Sequence, residues 1–160
     1  MSALPKQFDL NSENDGRTAL SSQCMKRILL VDSQAHILRV MKLSLDRNGY
    51  EVDTALNGEV ALEKMRETHY DVLIADKDLS SMTGQQLLAA VSAHFNMDIY
   101  LEVPKMFLIT SENASDLSDI EQNDANFECL EKPVSLRYLV ARLNELFGAY
   151  ENDTPLAVSA

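Results

Sequence analysis

The chain has 160 residues, 14 Lys and Arg against 25 Asp and Glu, and a formal net charge of −11. That leaves room for one ordinary domain with short tails and argues against a broad phosphate-binding surface for DNA or RNA. No run approaches the roughly 18 apolar residues of a membrane span, Met1–Leu10 has no apolar signal-like stretch, and Cys24 and Cys129 are too few for a disulfide scaffold, so a reduced, cytoplasmic chain is expected.

Residues 1–25 are mostly polar around Asn11-Ser12-Glu13-Asn14-Asp15-Gly16 and are expected to form a flexible N-terminal arm, because they bury too little apolar surface to offset ordering. A domain is expected over 26–148. It opens with Ile28-Leu29-Leu30-Val31, a continuous apolar run that suits a strand covered on both faces. Ile37, Leu38, Met41 and Leu45 then form a helical stripe, stopped by Asn48-Gly49. Tyr50-Glu51-Val52-Asp53-Thr54 alternates as an edge strand does, and Asn57 is placed to cap a helix carrying Ala61, Leu62 and Met65.

Val72-Leu73-Ile74-Ala75 predicts a second fully apolar strand, and Thr83 followed by Gln86 resembles a capping box ahead of Leu87, Leu88 and Val91. Met106-Phe107-Leu108-Ile109 is the third. A weakly held helix with only Leu117 and Ile120 is expected near Ser115–Gln122. Phe127-Glu128-Cys129-Leu130-Glu131 is charge-interrupted and predicts the other edge. Ser135 precedes the cleanest stripe, Leu136, Leu139, Val140, Leu143, Leu146 and Phe147, and 149–160 is expected to be a tail.

Five strand–helix units in succession predict an α/β fold with a doubly wound, five-stranded parallel sheet. With the polar strands at the edges the order is 2-1-3-4-5, flavodoxin-like, and the binding crevice lies at the carboxyl ends of the first and third strands. The residues at those ends are Asp32, Asp76, Thr110 and Lys132: acid, acid, hydroxyl and amine on one rim. Each has an ordinary explanation alone, as a loop-starting Asp, a strand terminus or a solvated charge. Together they suit one chemistry. Two carboxylates at one site repel, and Mg²⁺ is the usual remedy. A carboxylate beside that cation can attack phosphorus and form an aspartyl phosphate, with Lys132 as the point charge and Thr110 plus a backbone N–H as donors to the phosphoryl oxygens.

The ordered set Ile28-Leu29-Leu30-Val31-Asp32, Asn57-Gly58-Glu59-Val60-Ala61-Leu62, Asp71-Val72-Leu73-Ile74-Ala75-Asp76, Met82-Thr83-Gly84, Phe107-Leu108-Ile109-Thr110-Ser111 and Lys132-Pro133 resembles the response-regulator receiver domain of two-component signalling, over about residues 26–148. The resemblance implies that Asp76 accepts a phosphoryl group from a phosphohistidine on a sensor histidine kinase or phosphotransfer protein. It implies Mg²⁺ on Asp32, Asp76 and the Asp78 backbone carbonyl, with Thr110 as the switch hydroxyl and Lys132 as the phosphoryl-contacting amine. Output is expected through contact with a downstream protein effector, with no nucleic acid and no membrane as partner. The face of the expected fourth helix, fifth strand and fifth helix would carry that contact or a homodimer.

Three positions depart from the family pattern. Ser33 stands where the second acidic residue is usual, which should weaken Mg²⁺ binding unless the Asp78 side chain turns into the pocket. Ser80 replaces the usual proline, and Cys129 replaces the aromatic that reorients with the switch hydroxyl. A degenerate receiver that works unphosphorylated as an interaction module is therefore a competing reading. A third is a phosphatase, since Asp76-Lys77-Asp78-Leu79-Ser80 resembles the opening motif of haloacid-dehalogenase-type enzymes. Only Glu145, Glu151 and Asp153 follow Lys132 to supply that family's last acidic motif, so no enzyme activity is expected.

Overall fold

The structure is a computed structural model, and it describes residues 25–97, 102–112 and 126–148. The expected arm, the tail and the weak helix near Ser115–Gln122 lie outside the described residues. Within them the chain runs β1 (Arg27–Val31), α1 (Ala35–Arg47), β2 (Glu51–Ala55), α2 (Gly58–Glu67), β3 (Val72–Asp76), α3 (Gly84–Asn96), β4 (Lys105–Thr110), β5 (Phe127–Glu131) and α4 (Leu136–Phe147). The last of these is the helix that the Ser135 stripe predicts as the fifth.

All strand pairings are parallel and the order is β2-β1-β3-β4-β5. The strand period of two explains why β1, β3 and β4 each carry a continuous apolar run. Ile28 and Leu30 of β1, Val72 and Ile74 of β3, and Phe107 and Ile109 of β4 point to one face, where Leu38, Met41 and Leu45 of α1 and Leu139 and Leu143 of α4 cover them. The alternate residues Leu29, Val31, Leu73, Ala75, Met106 and Leu108 meet Ala61 and Met65 of α2 and Leu87, Leu88, Val91 and Phe95 of α3 on the other. Glu51 of β2 and Glu131 of β5 are exposed on the outer strands, while Asp53 and Glu128, half-buried there, pair with Arg27 and Arg142.

The helix boundaries follow local chemistry. Asn57 accepts the Val60 N–H at 2.9 Å, Ser135 accepts that of Tyr138 at 3.3 Å, and Thr83 and Gln86 close the full capping box. After α1 the chain turns at Gly49, whose φ of 87° is costly for any residue with a Cβ. Tyr50, fully buried just beyond it, donates its hydroxyl to Asn144 Oδ1 at 2.7 Å and so ties the start of β2 to α4.

Candidate functional site

Register alone brings the four rim residues together. Val31 pairs with Ala75, so Asp32 and Asp76 are the next positions on neighbouring strands, and parallel strands lie about 4.8 Å apart. Asp76 pairs with Ile109, one residue before Thr110, and Thr110 pairs with Glu131, one residue before Lys132. The ends of four strands, β1, β3, β4 and β5, thus deliver two acids, a hydroxyl and an amine to one edge of the sheet, at the switch in strand order.

The acids sit at the floor. Asp32, Asp76 and Thr110 are the buried polar side chains of the described residues, 5%, 2% and 0% exposed. Lys132 Nζ lies 2.9 Å from Asp76 Oδ1 and 3.0 Å from Oδ2, straddling the carboxylate while staying partly open to solvent. The Asp78 N–H makes a long contact of 3.4 Å to Asp76 Oδ1. Asp32 Oδ1 accepts the Gln34 N–H at 2.7 Å and so fastens the entry to α1, whose N-cap residue Gln34 makes no side-chain cap of its own. Thr110 Oγ1 accepts the Glu112 N–H at 3.0 Å.

One ammonium between two buried carboxylates leaves the site short of positive charge. Burial pushes the Asp32 carboxyl above its ordinary range and the Asp76 charge adds to this; the Gln34 N–H, Lys132 and His36 pull the other way without cancelling it. A hard dication would offset that deficit, and Mg²⁺ takes one or two carboxylates and keeps several waters. The two buried carboxylates, Asp32 and Asp76, are chemically suited to such an ion. No set of three His, Cys, Asp or Glu side chains converges on a cation position among the described residues. The Asp78 side chain is exposed and does not fill the place left by Ser33, itself exposed. Cys129 is half-buried against the core on the α3 side and forms no disulfide.

The sequence places Gly84 in the family motif without giving its steric reason, and one ion pair escapes sequence reading altogether. Gly84 is required sterically: a Cβ there would lie 2.3 Å from the Asp76 carbonyl oxygen and 2.6 Å from Leu108 Cδ1, and its N–H donates to the Lys77 carbonyl at 2.9 Å. The ion pair joins Lys77, next to the central acid, and Glu112, two residues beyond Thr110. Nothing in a single sequence marks that pair, because each is an ordinary charged loop residue until the loops meet.

Comparisons with known proteins agree with this fold. The family model of the response regulator receiver domain matches residues 28–144. The transcriptional regulatory protein TrcR of Mycobacterium tuberculosis is 32% identical over 120 residues, covering 75% of this chain and 44% of that protein. Transcriptional regulatory protein SrrA of Staphylococcus aureus is 28% identical over 127 residues, covering 79% and 50%. The chain thus spans about half the length of the curated relatives it matches. Among solved structures, the chemotaxis response regulator CheY4 of Vibrio cholerae superposes with a TM-score of 0.65 at 28% identity, over 76% of this chain and 98% of that one. The response regulator protein TrrA of Thermotoga maritima, solved in complex with Mg²⁺-BeF, gives 0.63 at 30% identity, over 76% and 99%. By its sheet order, its rim of Asp32, Asp76, Thr110 and Lys132 and these matches, the chain belongs to the response-regulator receiver family.

Proposed function

We propose that the protein acts in a phosphorelay by accepting a phosphoryl group on Asp76. The observation that carries this reading is the Lys132 ammonium seated across both oxygens of a buried carboxylate at the sheet's switch point. In the transfer one Asp76 oxygen attacks phosphorus while the bond to the donor's leaving atom breaks. Lys132 shifts from the carboxylate to the incoming phosphoryl oxygens, so the charge that now covers Asp76 becomes the one that receives the group. The Thr110 hydroxyl, free to donate while it accepts from Glu112, supplies a neutral hydrogen bond to another oxygen. Mg²⁺ held by Asp32, Asp76 and the Asp78 carbonyl would neutralise charge on the transferring oxygens. Support for the metal comes from the two-carboxylate donor set and from the Mg²⁺-BeF complex of the TrrA relative; Ser33 in place of a second acid weakens its hold.

The donor in this reading is a phosphohistidine on a sensor histidine kinase or phosphotransfer protein, and the output is contact with a protein effector in the cytoplasm. The transfer is stoichiometric, with no substrate turned over. Glu145, the only described acid after Lys132, pairs with Arg142 on the surface of α4. Acetyl phosphate with Mg²⁺, followed by intact-mass measurement, tests the proposal. A gain of one phosphoryl group that disappears in Asp76→Asn supports it; no gain at saturating donor overturns it. That second result would favour the unphosphorylated interaction module, which the exposed Ser33 and the ring-less Cys129 also suit.

A further inference from the structure

The Lys77–Glu112 pair joins the residue after Asp76 to the residue two beyond Thr110, and the reading above gives it no task. Lys77 follows Asp76 directly. Its backbone is fixed at both ends: the N–H donates to Ile109 O at 2.8 Å and the carbonyl accepts from Gly84 at 2.9 Å. Its side chain is only 17% exposed although it carries a full charge, and the ammonium is paired with the Glu112 carboxylate, which is 57% exposed. Glu112 is tied to the site a second way, through the N–H it donates to Thr110 Oγ1. One residue therefore bonds the switch-position hydroxyl with its backbone and a cation beside the acceptor aspartate with its side chain.

We infer that Lys77 is a second phosphoryl-contacting cation held in reserve by Glu112, whose carboxylate stands in for the phosphoryl oxygens until a donor displaces it. The inference rests on Asp76 being the phosphoacceptor. A phosphoryl group carries more charge than a carboxylate and three acceptor oxygens, so it can outbid Glu112 for the ammonium. Release of Glu112 would also loosen the segment whose N–H holds Thr110, coupling arrival of the group to freedom of that hydroxyl. Ion pairs this accessible are weak, which suits an exchangeable contact. The donor set at the rim makes the reserve useful, because Lys132 is the cation already committed to Asp76.

The experiment compares wild type, Glu112→Gln, Lys77→Met and the double variant, with acetyl phosphate and Mg²⁺ as probe, intact mass as rate readout and thermal denaturation as a check of folding. Glu112→Gln keeps the backbone N–H to Thr110 and frees the ammonium, so phosphorylation should quicken by about fivefold, the size of one accessible charge contact. The gain should vanish in the double variant and shrink with rising salt. Lys77→Met, which leaves the Glu112 carboxylate facing an anionic donor, should be slower than wild type. An unchanged rate in Glu112→Gln, or a gain that survives loss of Lys77, overturns the inference while Asp76 remains an acceptor. Absence of phosphorylation in wild type overturns the acceptor reading and this inference with it.

Discussion

Gly84→Ala adds one methyl group at the point where α3 meets the phosphoacceptor strand, and the structure fixes what that methyl would strike. Its nearest neighbours would be the Asp76 carbonyl oxygen at 2.3 Å, the Leu108 Cδ1 at 2.6 Å and the Asp76 carbonyl carbon at 3.0 Å. Ordinary contact begins at 3.4 Å, so the start of α3 or the end of β3 must give by about 1 Å, and backbone in a central strand cannot rotate aside. Overpacking of this kind costs about 1–3 kcal/mol. Alanine's better helix propensity returns about 0.5 kcal/mol in a first turn, leaving a net loss of about 0.5–2.5 kcal/mol. With a urea m value near 2 kcal/mol/M, the denaturation midpoint should fall by about 0.3–1.2 M. Because the displaced atoms belong to Asp76, phosphorylation should also slow, by about tenfold or more for a shift approaching 1 Å. Gly58→Ala is the control: its Cβ would meet Met82 Cγ and Sδ at 2.5 Å, a flexible side chain that can swing away, so its midpoint should stay near wild type. Equal midpoints and equal phosphorylation rates for Gly84→Ala and wild type would refute the reasoning.

Lys132→Met removes the cation from Asp76 and leaves two buried acids facing each other; discounting for the partial exposure of Lys132, stability should fall by about 1–2 kcal/mol, and millimolar Mg²⁺ should restore more of the melting temperature than it adds to wild type. The buried Tyr70 hydroxyl donates to Asp53 Oδ2 at 2.9 Å, and burial with that carboxylate pushes its pKa up to about 12. Its stabilisation is therefore complete below pH about 10 and lost as pH rises toward 12; ultraviolet titration should show a last tyrosine phase there, absent in Tyr70→Phe. Asp71 behaves oppositely: burial alone would raise it, but the Arg27 N–H and the Lys26 ammonium outweigh burial and hold the carboxyl below its ordinary range. It stabilises the fold above the unfolded carboxylate pKa and loses that as pH falls through the lower folded value, so urea curves of Asp71→Asn and wild type should differ at pH 7 and converge near pH 2.

The parts of the fold that the sequence reveals are those set by short-range rules. Apolar runs at Ile28–Val31, Val72–Ala75 and Met106–Ile109 can be covered only on two faces, and Asn57, Thr83 and Ser135 carry their caps in their side chains. The rim follows once the strand order is known, since register carries Asp32, Asp76, Thr110 and Lys132 to one edge. Loop-to-loop contacts obey no such period. The meeting of Lys77 with Glu112, the steric demand on Gly84 and the ion-paired state of Asp76 beneath Lys132 depend on where loops close. Asp78 shows the limit from the other side: its spacing from Asp76 permits a side chain turned inward, and the loop leaves it exposed.

A crystal structure of the chain with Mg²⁺ and beryllofluoride tests the central claim most directly. It should place beryllium on an Asp76 oxygen, with Lys132 Nζ moved from the carboxylate onto a fluorine and Thr110 Oγ1 donating to another. Density at any other acid, or a bare Asp76 still straddled by Lys132 at saturating beryllofluoride, would contradict the account.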